Sequence, residues 1–196
     1  MSSILNLPTA ESAETVIPAP AGVSKRLTRR RFVLALAALQ FASRANPSPG
    51  GLTAGYQRWG TGEFRRFGFL VYEATLWAAG DDPLRPPLAL KLTYKRKIAG
   101  KDIAEASVKE IRNLGLADSA QLKRWGEQME RIFPDVKPGD HILGVHLPEG
   151  ARFFYNDQPA GTVDDAAFAR AFFAIWLDSK TSAPDLRAAL LKRPAG

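Results

Sequence analysis

The sequence predicts an α+β fold built on an antiparallel β-sheet, and three observations carry that expectation. Strand-like and helix-like patterns fall in separate runs instead of alternating one for one. Short turn sequences separate neighbouring strand patterns, which suits hairpins and not crossovers. The helical segments each show an apolar stripe, so each has a face to bury against a layer.

The first strand spans residues 67–78. Phe67, Phe69, Val71 and Trp77 point one way and Leu70, Tyr72, Ala74 and Leu76 the other. Apolar residues on both faces place that strand in the centre of the sheet, covered on both sides. Asp81-Asp82-Pro83 and Pro86-Pro87 then break the chain. Leu88, Leu90, Leu92 and Tyr94 alternate with Ala89, Lys91, Thr93 and Lys95, a strand with one wet face.

Helices follow. Asp102 with Glu105 three residues later has the capping-box spacing, Ala104, Val108, Ile111 and Leu114 form the stripe, and Gly115 supplies the stop. Asp118 with Gln121 repeats the device ahead of Leu122, Trp125, Met129, Ile132 and Phe133, with Pro134 ending the helix. Lys137-Pro138-Gly139-Asp140 reads as a turn, and two short strands, 141–147 and 151–155, meet through Pro148-Glu149-Gly150. Asp164 or Asp165 caps a third helix with Phe168, Phe172, Ile175 and Trp176 inward, and 184–192 is a short fourth.

The formal charge of the 196-residue chain is +7, from 27 basic and 20 acidic residues. Residues 1–45 hold six basic and two acidic residues, so the remainder keeps 21 and 18, a net +3. The basic character therefore belongs largely to the N-terminus. There, Thr28-Arg29-Arg30-Arg31-Phe32-Val33-Leu34 leads into an apolar stretch through Ala42 and the small-residue end Ser43-Arg44-Ala45. A basic region, an apolar core of about ten residues and a small-residue end make a secretory signal, here resembling the twin-arginine type, with cleavage expected after Ala45. About 20 apolar residues are needed to span a membrane, and Arg44 arrives too early. The expected organisation is a disordered N-terminus and signal over 1–45, a linker over 46–51, and one domain over 52–196. The expected location is periplasmic or otherwise exported, with no stable membrane insertion after cleavage.

Without cysteine there is no disulfide framework, Cys-ligated zinc, iron–sulfur cluster or thiol nucleophile. His141 and His146, five apart on a strand, face opposite sides and cannot share a metal. Gly60-Thr61-Gly62 has part of a phosphate-loop pattern, yet a strand and not a helix N-terminus follows it. No Gly-x-Ser-x-Gly elbow is present. A net +3 domain without a basic stripe gives no reason to expect nucleic acid as a partner, and no cofactor is expected.

The most informative polar feature is Arg65-Arg66, at the mouth of an apolar strand where a charge must be paired or wet. One guanidinium facing a cleft would hold a carboxylate or polar head through its planar fork. Strand parity puts Arg66 on the face of Leu70 and Tyr72 and Arg65 on the face of Phe67 and Phe69, unless a bulge near Gly68 reverses them.

Four blocks of the sequence resemble the bacterial chalcone isomerase-like family, exported relatives of plant chalcone isomerase and of fatty-acid-binding proteins of that fold. They are Gly60–Arg65 running into Val71–Trp77; Leu88–Tyr94 with the helix from Asp102; Pro138-Gly139-Asp140 with the hairpin to Tyr155-Asn156; and Phe172–Asp178 through Thr181 with Pro184–Arg187. The resemblance implies helices packed on one face of the sheet, as an open-faced sandwich, with a ligand cleft between the layers. It also implies a cleft-facing arginine in the first block, which Arg65 matches best by motif position and Arg66 by parity. Tyr72 stands where the plant enzymes have a threonine. Their substrate-polarising tyrosine, which precedes the first long helix, has no counterpart from Lys95 through Phe154, and Phe173 and Trp176 add bulk near the cleft.

The functional expectation is a non-catalytic binder of a small amphipathic or carboxylate ligand, such as a fatty acid, held by Arg65, Arg66 and Tyr72. Its chain would lie on Leu70, Leu76 and the helix stripes. The alternatives are an envelope protein-interaction module with a filled cleft, and an intramolecular lyase or isomerase using arginine for electrostatic stabilisation and Tyr72 as acid.

Overall fold

Every pair of neighbouring strands in the sheet is also consecutive in the chain. The structure, a computed structural model, describes residues 51 and 53–193; the expected signal and nearly all of the expected linker lie outside the described residues. Strands β1 (Gln57–Arg66), β2 (Phe69–Ala78), β3 (Leu88–Tyr94), β4 (His141–Leu147), β5 (Gly150–Tyr155) and β6 (Gln158–Val163) form one antiparallel sheet in that order. Helices α1 (Gly100–Asn113) and α2 (Ser119–Ile132) sit between β3 and β4, and α3 (Ala166–Leu177) and α4 (Pro184–Leu190) follow β6. The α+β antiparallel architecture is the expected one.

Strand alternation decides what is buried. Ala74, Leu76, Leu88, Leu90, Leu92, Ile142, Ala151 and Phe153 share the face that packs against the helices. The opposite face carries a smaller cluster of Ala89, Leu143, Val145 and Phe154, flanked by Tyr56, Trp77 and Leu147. α3 lies at the centre of the helical layer. Phe168, Phe172, Ile175 and Trp176 are buried as expected, and so are Ala169, Ala171, Phe173 and Leu177 on its other sides.

The first strand departs from expectation. It starts at Phe69, with Phe67 and Gly68 forming the turn that joins it to β1, at φ +50° and +81°. β2 is second from the edge, not central. Its two-faced apolar pattern arises because Phe69 is exposed and Trp77 belongs to the small outer cluster. The edges themselves, β1 and β6, show no strand pattern in sequence. β6 contains Pro159 and Gly161, which edge strands tolerate. β1 contains Gly60 and Gly62 because α4 crosses it closely. A Cβ on Gly60 would collide with the Ala189 carbonyl oxygen, and one on Gly62 would lie 2.8 Å from Ala189 Cβ. Gly60-Thr61-Gly62 is therefore a packing feature.

The caps divide similarly. Asp118 and Gln121 form the reciprocal capping box, with side chains accepting each other's backbone N–H at 2.8 and 3.0 Å. Gly115 takes the left-handed φ of +70° just beyond α1. Asp165 caps α3 by accepting from the N–H groups of Ala167 and Phe168. Its other oxygen accepts from the Trp125 indole at 3.0 Å, tying α2 to α3. Asp102, however, does not cap α1. The helix starts two residues earlier at Gly100, whose N–H donates to Asp135 Oδ1 at 2.9 Å, an acceptor supplied 35 residues downstream. In the turn before β4, Asp140 accepts from Lys137 N–H, Tyr155 Oη and Asn156 Nδ2, which gives the third block of the family resemblance a structural task.

Candidate functional site

The N-terminal half of β2 and the end of β3 border, with the helical layer, a cavity of about 310 Å³. Phe64, Val71, Tyr72, Leu92 and Tyr94 line it from the sheet, Ile103, Ala106 and Ser107 from α1, and Phe172, Ile175 and Trp176 from α3. Most of this wall is apolar. Arg66, Asp102 and Glu110 stand on the polar rim. A more open depression continues outward from there, bounded by Arg65, Arg66, Glu105, Lys109 and Glu110.

Alternation along β1 sets which arginine reaches the cavity, and a bulge on β2 lies opposite. Phe64 pairs with Tyr72 and Arg65 with Leu70, so Val71 is the extra residue on β2. Arg66, two residues on from Phe64 along β1, shares its face and lines the cavity, while Arg65 lines only the outer depression. Arg65 is also engaged, binding Glu63 Oε2 through both Nε and Nη2 at 3.1 and 2.7 Å. Arg66 has no carboxylate within ion-pair distance among the described residues; its guanidinium carbon lies 5.4 Å from the Phe67 ring centroid. The same bulge turns Val71 inward in place of Leu70. Neither Leu70 nor Leu76 lines the cavity, contrary to expectation.

Tyr72 is the central polar group of the wall. Its ring stacks on Phe64 at 5.0 Å and meets Tyr94 edge-on at 5.9 Å. Its hydroxyl accepts a hydrogen bond from Trp176 Nε1 at 3.0 Å. Burial pushes the phenol well above its ordinary pKa, a rise that the Trp176 bond reduces and that Glu110 reinforces. Tyr94 is raised in the same way by burial and by its neighbour Tyr72. Both phenols keep their protons at neutral pH, and Tyr72, with its acceptor side used, retains a proton to donate.

A family model described as chalcone isomerase-like matches residues 60–192, more than half the chain.

The chain belongs to the chalcone isomerase-like family.

An uncharacterized protein of Haemophilus influenzae is 35% identical over 105 residues, which cover 54% of this chain and 52% of that protein. The chain thus spans about half the length of this relative. Among solved structures, the chalcone isomerase-like domain is similar to a fatty-acid-binding protein of Arabidopsis thaliana. The TM-score is 0.55 at 12% identity, covering 70% of this chain and 87% of the other. At that identity the likeness is one of fold.

Of the three expected site residues, Arg66 and Tyr72 line one cavity and Arg65 sits outside it. Sequence reading missed Asp102 and Glu110 as rim groups. Their spacing of eight does put them on one helix face, but nothing in sequence says that this face meets a cavity. Tyr94 was legible only as a buried strand residue. Of the two bulky residues on α3, Trp176 faces the cavity, whereas Phe173 stacks on His146 at 4.9 Å on another side of the helix.

Proposed function

We propose that this chalcone isomerase-like protein binds a small amphipathic ligand, such as a fatty acid, without catalysing a reaction on it. The observation that carries this reading is the apolar cavity with Arg66 on its rim, held in no ion pair with the described residues. An apolar pocket with a few convergent polar groups is the usual form of a small-molecule site. Its volume corresponds to about ten water-sized groups, which suits a medium-length acyl chain. The head would meet Arg66 and the Tyr72 hydroxyl. The similarity in fold to a fatty-acid-binding protein supports the same reading. A cavity of this size also weighs against an interaction module whose cleft its own side chains fill. Tyr72, held protonated, serves better as a hydrogen-bond donor to a bound head than as a proton-transfer group at neutral pH.

Titration with a fluorescent fatty acid tests this. Because Arg66 is exposed, its contribution should fall between that of a solvated ion pair and a buried one, so Arg66→Gln should weaken binding about tenfold. Arg65→Gln should leave affinity unchanged. Equal affinities for both variants and wild type would remove the site.

The N-terminal pattern supports a second element of the proposal, that the protein acts after export by the twin-arginine route. Replacing Arg29 and Arg30 together by Lys should retain the precursor in the cytoplasm; normal export of that variant would exclude the route.

A further inference from the structure

The β1–β2 hairpin ends in a group of side chains that the cavity does not use. Phe67 and Phe69 are 87% and 60% exposed, more than Leu84 or Leu116, the other exposed large apolar residues among those described. Phe67 also occupies a left-handed backbone position in the turn, at φ +50°. Asn or Gly is the ordinary residue there, and a bulky ring fits poorly. The sequence thus displays an aromatic ring at the tip against the local preference of the backbone.

Cations surround the rings. Arg65, Arg66, Arg96 and Lys97 are all exposed. The guanidinium of Arg66 lies over Phe67, and that of Arg96 lies over Phe69 at 4.8 Å from the ring centroid. The loop bearing Arg96 and Lys97 is fixed to the hairpin by the bond from Lys95 N–H to the Val71 carbonyl, 2.9 Å. The acids of the hairpin, Glu63 and its cross-strand neighbour Glu73, are paired with Arg65 and Lys95. The remaining acids near the mouth, Asp102, Glu105 and Glu110, belong to α1.

We propose that this hairpin tip docks on an anionic phospholipid surface, with Phe67 and Phe69 entering the interface and Arg66, Arg96 and Lys97 meeting the headgroups. Aromatic rings settle at the membrane–water boundary, and basic side chains beside them add attraction to anionic lipid. Two rings at a turn bury far less than a stable protein interface requires, so a bilayer suits the patch better than a second copy of the chain. Phe64 and Arg66 belong to the same hairpin and line the cavity. Docking therefore brings the cavity mouth to a surface that stores amphipathic molecules; only this consequence rests on the ligand reading.

Flotation of the full chain with phosphatidylcholine vesicles, with and without an equal part of phosphatidylglycerol, tests the docking. The N-terminal basic and apolar segment is identical in every variant, so differences report the hairpin. The double variants Phe67→Ser/Phe69→Ser and Arg96→Gln/Lys97→Gln should each bind anionic vesicles about tenfold or more weakly than wild type. The altered side chains are exposed, and thermal melts verify that each variant folds. A third variant, Phe67→Trp, should add emission that brominated lipid quenches. Neither Arg96 nor Lys97 lines the cavity, so lost vesicle binding with unchanged fatty-acid affinity supports docking independently of the ligand. Wild-type vesicle binding by the double variants, or an unquenched Trp at position 67, would overturn the proposal. So would a wild-type dimer that Phe67→Ser/Phe69→Ser dissociates without any change in vesicle binding, which would make a second copy the occupant.

Discussion

The indole N–H of Trp176 donates to the hydroxyl of Tyr72 at 3.0 Å, joining α3 to β2 across 104 residues of chain. This bond closes the inner wall of the cavity and separates two contributions that one substitution would mix. Trp176 is 6% exposed and contacts Phe172 at 5.3 Å between ring centroids, so Trp176→Ala should cost about 3–5 kcal/mol. Tyr72→Phe keeps the ring but strands the buried indole N–H, which should cost about 1–3 kcal/mol. Denaturant melts measure both. A Trp176→Ala loss below about 1 kcal/mol would contradict the packing described.

Asp102 and Glu110 share the cavity rim with Arg66, so an entering carboxylate meets two like charges beside its cation. Replacing both, as Asp102→Asn/Glu110→Gln, should raise affinity for a fatty acid about three- to tenfold at low salt. Affinity for the corresponding fatty alcohol should stay the same. Titration of both ligands against wild type and variant decides the matter, and equal gains for acid and alcohol would show that charge is not the cause.

Gly60 lies where α4 crosses β1, with backbone atoms of Ala189 and Leu190 occupying the position of any Cβ. Gly60→Ala must push the helix away, and overpacking of this kind should cost about 1–3 kcal/mol. Gly80, which meets nothing within 4 Å, is the control position: Gly80→Ala should shift stability by less than about 0.5 kcal/mol. Equal melting of the two variants would refute the close approach.

His146 lies flat on Phe173, 6° from parallel and 6% exposed, with Nδ1 buried and without a hydrogen-bond partner. Burial, aided by the charge of Arg170, lowers its pKa to about 4. The unfolded chain takes up this proton near pH 6.5 and the folded chain only near pH 4. Stability present above pH 6.5 is therefore lost as pH falls toward 4, by about 3 kcal/mol. Denaturant midpoints for wild type and His146→Phe should diverge across that window. Parallel curves would mean that the imidazole is solvated.

The sequence by itself carried the fold class wherever a local pattern met a local need. The Asp118–Gln121 box, the stop at Gly115, the alternation of β3 and the apolar stripes of α2 and α3 all act within a few residues. β1 stayed hidden because its glycines answer to α4, a helix more than a hundred residues away in the chain. The start of α1 stayed hidden because its capping acceptor, Asp135, comes from another segment. The candidate site was legible in residue type: an arginine pair beside a two-faced strand, and Tyr72 downstream.

Which arginine faces inward was divided in the sequence between parity, which favours Arg66, and motif position, which favours Arg65. Alternation along β1 holds through Arg66, whereas the extra residue at Val71 shifts the alternation of β2. That shift brings Val71 to the cavity in place of Leu70, while Arg65 remains outside with Glu63. Sequence patterns record what each residue needs from its nearest neighbours, and these determined the inner strands, the helices and the family. The cavity exists only where β2, β3, α1 and α3 fail to close on one another. Its volume, its rim of Arg66, Asp102 and Glu110, and the Trp176–Tyr72 bond depend on the distances between packed layers, which the tertiary structure alone decides.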